Sequence, residues 1–156
     1  MADATVTTRG VTPEDAARLF EIFLAGESAA WAAAIPQIDN GPVLRRMFAS
    51  QQAEYTDRYP QARHEIILID GEFAGQVRWA EDDHELHLID IALLPQHRRR
   101  GAAHAVLARI LAHARDAKKP LRSMVTRVNA ASLALHRCAG FILETESDTH
   151  YFLVAR

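Results

Sequence analysis

Three consecutive arginines, Arg98, Arg99 and Arg100, stand directly before Gly101, Ala102 and Ala103, where a dense apolar run gives way to a long amphipathic pattern. Residue types in that order suit an anion. The first backbone N–H groups of a helix lack partners inside the helix and together carry about half a positive charge. Gly101 lets an anion approach the main chain, and the two alanines add no bulk to obstruct it. A pyrophosphate suits such a turn because two adjacent anionic groups can use several N–H donors at once. An isolated R-x-x-G-x-A is also the mark of a plain solvated basic turn, so the flanking elements decide its weight.

Those elements are legible. Upstream, residues 84–94 read as a strand whose centre, 88–94, is nearly all apolar, as expected for burial on both faces in the middle of a sheet. Pro95 stops it. Residues 101–118 follow with helical spacing, Ala105, Val106, Ile110, Leu111 and Ala114 forming the inward stripe and Pro120 ending the helix. Residues 121–128 predict a strand, Asn129 a cap, 130–138 a short helix closed by Gly140, and 141–146 and 150–154 the last two strands. Towards the N-terminus, a strand over 5–11 precedes a helix that starts at Thr12-Pro13-Glu14-Asp15 and runs to Gly26. A mobile or partly helical connection containing Trp31 leads to a second helix over 42–55. Two strands, 64–69 and 73–80, are joined by the Asp70-Gly71 hairpin turn. The order β-α-α-β-β-β-α-β-α-β-β is that of a mixed α/β chain. With 156 residues, no repeat and no low-complexity linker, one domain over residues 1–156 is expected.

Composition narrows the class. A formal net charge of −2 offers no broad basic face for nucleic acid, and three arginines supply too few phosphate contacts. The first ten residues have no apolar leader core, and no run approaches the roughly 20 apolar residues of a membrane helix. The single Cys138 excludes an intramolecular disulfide, so a soluble cytoplasmic protein is expected, monomeric or homodimeric, and Cys138 reads as a small buried residue.

Other residues carry potential chemistry. Asp90 interrupts the apolar strand, and a carboxylate there must either pair structurally or face a cleft. Strict alternation puts His87 on the face of Ile89, Ile91 and Leu93, with Asp90 on the opposite one. The eight histidines do not form a metal set: His84 and His87 fall on opposite sides of a strand, and His97, His104 and His113 follow no zinc spacing. The acids at 81–83 read as a solvated turn. No metal is expected.

The pattern strand–Pro–x–x–R-x-x-G-x-A–helix, followed by N-x-x-S-x-x-L-H-x-x-x-G-F, resembles the GNAT superfamily of acyl-CoA N-acyltransferases. Arg98, Gly101 and Ala103 correspond to its pyrophosphate loop, and Asn129, Leu135, Gly140 and Phe141 to its second conserved block. The likeness is good over about residues 64–154. It implies a mixed sheet of about seven strands with about four helices, and two central strands that diverge to form the acyl-CoA cleft. It implies acetyl-CoA as co-substrate and direct acetyl transfer to a primary amine of a small molecule or peptide. Ala92, Leu93 and Leu94 would pair with the pantetheine arm. Backbone groups of Arg98, Arg99, Arg100, Gly101, Ala102 and Ala103 would hold the pyrophosphate, and Asn129 and Ser132 would flank the arm.

Catalysis is less legible. Many members carry a tyrosine general acid where this sequence has His136. An imidazolium can protonate a departing thiolate but is abundant only below neutrality. His87 occupies the place of a catalytic glutamate in some members, and Asp90 is the other candidate base, with a water chain as the remaining option. Trp31, Tyr55 and Tyr151 are candidates to line the acceptor side. With the tyrosine missing, a non-catalytic acyl-CoA sensor is the alternative reading.

Overall fold

The computed structural model describes residues 3–26 and 41–156. Trp31 and nearly all of the connection expected before the second helix lie outside the described residues. The elements are β1 (Val6–Gly10), a 3-10 turn (Pro13–Asp15) running into α1 (Ala16–Ala25), α2 (Gly41–Arg58), β2 (Arg63–Ile69), β3 (Glu72–Glu81), β4 (Leu86–Leu93), a second 3-10 turn (Pro95–His97), α3 (Ala102–Asp116), β5 (Leu121–Thr126), α4 (Ala130–Cys138), β6 (Ile142–Glu146) and β7 (His150–Ala155). The strands form one sheet in the order β1-β2-β3-β4-β5-β7-β6. Every neighbouring pair is antiparallel except β4 and β5. The α/β class, the element order and the seven-stranded mixed sheet agree with the sequence.

Local chemistry explains the boundaries. Asp15 accepts from the Thr12 amide at 2.8 Å and from both terminal nitrogens of Arg9 at 2.8 Å, which ties the first helical turn to β1. Asp70 and Gly71 both take positive φ, 51° and 82°, as a two-residue hairpin matched to strand twist requires. The Asn129 side chain accepts from the Ser132 amide at 3.0 Å and starts α4, and Gly140 follows its end at φ 100°.

The larger core lies between the sheet and the helices α3 and α4, with Ile67, Val77, Leu86, Leu107 and Leu121 wholly buried. The stripe of α3 is Ala102, Val106, Leu107, Ile110, Leu111 and Ala114. Leu107 therefore takes the inward place expected of Ala105, which is half-buried. A smaller cluster on the opposite face joins Leu19 and Ile22 of α1 to Ile66, Leu94 and Phe48 of α2. Cys138 is exposed in the last turn of α4, contrary to the burial expected of it.

Two irregularities in β4 shape everything beyond. First, β4 and β5 pair at only three positions, Leu86 with Leu121, His87 with Arg122 and Leu88 with Ser123. Beyond Leu88 the strands part, so residues 89–92 are half-buried, not sealed on both faces as their apolar run suggests. Second, the β3–β4 register slips, Arg78 facing Asp90 while Trp79 faces Leu88. Ile89 is the extra residue of a bulge. The bulge returns Ile91 and Leu93 to the core face of Leu86 and Leu88, and it leaves His87 and Asp90 together on the α1–α2 face. The alternation that set His87 against Asp90 is thereby corrected.

Candidate active site

The divergence of β4 and β5 leads straight to the arginine turn. Past Leu88, the edge of β4 that turns towards β5 has no strand partner among the described residues. At its far end Arg98 bends back, its Nε donating to the Leu93 carbonyl at 3.0 Å and its Nη2 to the Ala25 carbonyl at 3.3 Å. This guanidinium locks the turn to the end of β4 and the last turn of α1. Arg99 has φ 61° and Gly101 φ 80°, so the chain alternates in handedness just before α3. Successive N–H groups in such a run converge on one point. Gly101 carries the strain most naturally, since a Cβ there would meet nothing within 4 Å and only its φ disfavours a side chain. Ala102, 1% exposed, seats the first turn of α3 against the core.

These features fit acyl-CoA as the sequence resemblance implies. An unpaired strand edge can accept an extended amide-bearing arm by adding a strand. A left-handed glycine with open space over it at a helix N-terminus can cradle a pyrophosphate. Asn129 spends its side-chain oxygen capping α4 but keeps its amide NH₂, while Ser132 places its hydroxyl 3.4 Å from His136 Nδ1.

On the α1–α2 face beside the divergence, polar side chains of four elements form a directed chain. Arg78 Nη2 donates to His64 Nδ1 at 2.9 Å and to Gln52 Oε1 at 2.5 Å. An arginine can only donate, so Nδ1 is the acceptor nitrogen and Nε2 carries the proton. Nε2 then donates to Gln76 Oε1 at 2.5 Å, and Gln76 Nε2 donates to Asp90 Oδ2 at 2.6 Å. The bonds from Arg78 through His64 and Gln76 all point towards Asp90, and the bond to Gln52 is a side branch to α2. The Arg78 guanidinium also lies 5.0 Å from the centre of the Tyr55 ring. Burial pushes the His64 pKa down, which keeps its ring neutral near pH 7, and burial likewise lowers that of Arg78. Asp90 thus has a partner and also borders the cleft, combining two readings that its sequence position kept apart. None of His64, Gln76 and Arg78 was visible as a site residue in the sequence.

The other candidates separate. His136 is 2% exposed. Its Nδ1 lies 2.7 Å from the Ser132 carbonyl, which can only accept, so Nδ1 is the donor, and Nε2 accepts from Ser123 Oγ at 2.8 Å. Phe141 packs edge-on against the ring at 4.9 Å. Burial lowers its pKa, against a weaker opposite effect of the Ser132 carbonyl. The neutral ring has both nitrogens committed in the core, a placement that suits packing better than proton donation to a cleft-bound thiolate. His87 sits where β4 still pairs with β5, 3.2 Å from Asp82 Oδ2 and 3.3 Å from Glu85 Oε1, with its ring 5.4 Å from that of Tyr59. It belongs to the closed end of the cleft, away from the strand divergence.

Asp82, Glu85 and His87 bring three potential ligand atoms within 4.8 Å. Yet Asp82 Oδ1 already accepts from the amides of His84 and Glu85, at 2.7 and 2.8 Å, and these bonds hold its pKa down to about 2. Arg122 takes the second oxygen of Glu85. The cluster is a clasp on the β3–β4 turn.

Of the two described candidates for the acceptor side, Tyr55 lies against the Arg78 guanidinium, while Tyr151 pairs with Val125, packs against the larger core and lies under Arg127 at 5.0 Å. Two surface hollows, of about 210 and 520 Å³, lie around Trp79 and Arg109 and around Asp82 and Lys119, and neither includes a residue of the divergence.

The GNAT acetyltransferase family model matches residues 20–141. The chain belongs to that family. Among solved structures, PaiA N-acetyltransferase from Thermoplasma acidophilum in complex with coenzyme A is 15% identical, with 97% of this chain and 99% of that one covered and a TM-score of 0.72. An acetyltransferase from Thermus thermophilus is 22% identical over 99% of each chain, TM-score 0.73. YncA from Salmonella typhimurium, solved with its cofactor acetyl-CoA, is 17% identical over 97% of this chain and 94% of that one, TM-score 0.59. At these identities the likeness establishes the fold. No curated protein sequence matches the chain. No helix among the described residues is long and apolar enough to cross a membrane.

Proposed function

We propose that this GNAT acetyltransferase uses acetyl-CoA to acetylate a primary amine directly, on a small molecule or peptide. The observation that carries the reading is the parting of β4 and β5 after Leu88, which opens a free strand edge running into the left-handed turn at Gly101. Acetyl-CoA supplies an acetyl group activated as a thioester. The β4 edge around Ala92, Leu93 and Leu94 binds the pantetheine arm, and main-chain amides over residues 98–103 bind the pyrophosphate. Asn129 and Ser132 lie on the opposite wall, at the start of α4.

In the transfer, the amine nitrogen forms a bond to the acetyl carbon as the carbon–sulfur bond breaks. The amine must give up a proton, and the departing thiolate gains one from solvent to become a thiol. Asp90 holds the amine and receives its proton, directly or through one water, with Gln76 orienting the carboxylate. His136 acts as a positioning residue and His87 as part of the turn clasp.

The test is acetyl-CoA titration by calorimetry, followed by a thiol-release assay over amino acids, polyamines, aminoglycosides and peptides. Binding in the micromolar range and thiol release only with an amine are expected. Binding without release over the whole panel would favour the sensor reading. No binding, or unchanged binding in the double variant R98E/G101E, would overturn the proposal.

A further inference from the structure

Arg78 is 7% exposed, yet no carboxylate among the described residues lies within ion-pair distance of its guanidinium. Among those residues its hydrogen bonds use Nη2 alone, to the neutral Gln52 and His64. Nε and Nη1 make none there. They are not sealed either, because His97 Nδ1 is the one fully covered side-chain atom without a partner among the described residues. Two donors of a buried cation thus remain open to a ligand.

Asp90 is the residue directly opposite Arg78 in the β3–β4 ladder, on the same face and near enough to support the guanidinium charge. Opposite charges in that register ordinarily close into an ion pair. Arg9 and Asp15, although not ladder partners, close into an ion pair in this protein, with two 2.8 Å contacts. Arg78 and Asp90 instead remain apart, spanned by the neutral His64–Gln76 bridge. Charges held separated by a rigid neutral bridge suit a ligand that carries both signs. Asp90 is also two residues beyond the last β4–β5 pair, where the two strands part.

We infer that Arg78 and Asp90 form the receptor for a zwitterionic acceptor, an α-amino acid or a similarly short amino carboxylate. Asp90 takes its amino group, and Arg78 takes its carboxylate through Nε and Nη1. The planar fork of an arginine matches a carboxylate. The Tyr55 ring across the guanidinium limits how the carboxylate approaches. This assignment rests on the N-acetyltransferase reading and goes further by naming the acceptor class.

The experiment compares matched acceptors with the wild-type enzyme: leucine, phenylalanine and glutamine, each beside its carboxamide and the amine lacking the carboxyl group. Free-thiol release at saturating acetyl-CoA gives kcat/KM for each. At least one amino acid should exceed its two analogues by more than about tenfold, because a site built for a polar group discriminates strongly against ligands lacking it. In Arg78→Met that preference should collapse through a rise in KM, with acetyl-CoA affinity unchanged, and Arg78→Lys should restore part of it. Equal or better turnover of the carboxamides or simple amines would overturn the inference and leave the transferase standing. Failure to bind acetyl-CoA would overturn both. The wild-type comparison decides the matter even if Arg78→Met folds poorly.

Discussion

Ser123 Oγ and His136 Nε2 lie 2.8 Å apart in the core, and Ser123 is the last residue of β5 to pair with β4. The bond therefore ties α4 to the vertex from which the two strands part. His136→Ala leaves a cavity and strips the serine hydroxyl of its acceptor, and should cost about 3 kcal/mol of stability in urea unfolding. Ser123→Ala orphans Nε2 alone and should cost about 1–2 kcal/mol. Both variants should weaken acetyl-CoA binding in calorimetry, since the vertex sets the opening of the cleft. A general-acid role predicts something else, a loss of kcat with stability and affinity intact.

Acid should destabilise the protein in two stages. His64 and His136 have folded pKa values below their unfolded value near ~6.5, because burial disfavours their charged forms. The unfolded chain then binds more protons than the folded one as pH falls below that value, so the stability these neutral rings contribute is complete above it and drains away beneath it. Asp15 and Asp82 are also depressed, Asp15 chiefly by Arg9 and Asp82 chiefly by the amides of His84 and Glu85. Their contribution is complete above ~4 and is lost at lower pH. Thermal melts from about pH 8 to about pH 3 should show a decline beginning near ~6.5 and steepening below ~4, and H136F should flatten the first part.

Much of the site's frame was legible because single residues announce it. Asn129 and Gly140 bracket α4, Asp70-Gly71 marks the hairpin, and the glycine after three arginines marks the left-handed turn into α3. The chain from Arg78 to Asp90 was not legible. Its members come from β2, β3 and β4, with Gln52 from α2, and only register brings them together. Gln76 and Arg78 alternate with Val77 and Trp79, a pattern that reads as a solvent-facing edge until α2 covers it. The bulge at Ile89 left no sequence mark either, so strict alternation separated two residues that the folded strand puts on one face. For His136 the sequence pattern gives a position, and only packing shows that the ring turns into the core.

Gly101 should tolerate no side chain without loss of cofactor affinity. Its φ of 80° costs an alanine about 1–2 kcal/mol, although a Cβ meets no neighbouring atom. Gly101→Ala should therefore fold normally but bind acetyl-CoA about 5- to 30-fold more weakly, as the turn relaxes and its amides lose their common aim. Gly75→Ala should fail differently. A Cβ there would lie 2.2 Å from the Ala92 carbonyl oxygen, a backbone clash that must push β3 and β4 apart. Low soluble yield and a reduced melting temperature are expected for Gly75→Ala.

Asp90 and His87 share a face of β4 but should respond very differently to neutral substitution. Asn at position 90 preserves the shape and can still accept from Gln76, so Asp90→Asn should keep its fold and its acetyl-CoA affinity. It removes the carboxylate proposed to bind the amine and take its proton, and kcat/KM for the acceptor should fall by roughly 100-fold or more. Gln76→Leu leaves the carboxylate in place with one donor fewer, and should lower kcat/KM for the acceptor by roughly tenfold through looser orientation of that group. His87→Gln removes the contacts with Asp82 and Glu85 and the ring contact with Tyr59, all at the closed end. Its rate should stay within about twofold of the wild type, as expected of an exposed ion pair. A larger loss in His87→Gln than in Asp90→Asn would transfer the base to His87 and place the acceptor amine at the closed end of β4.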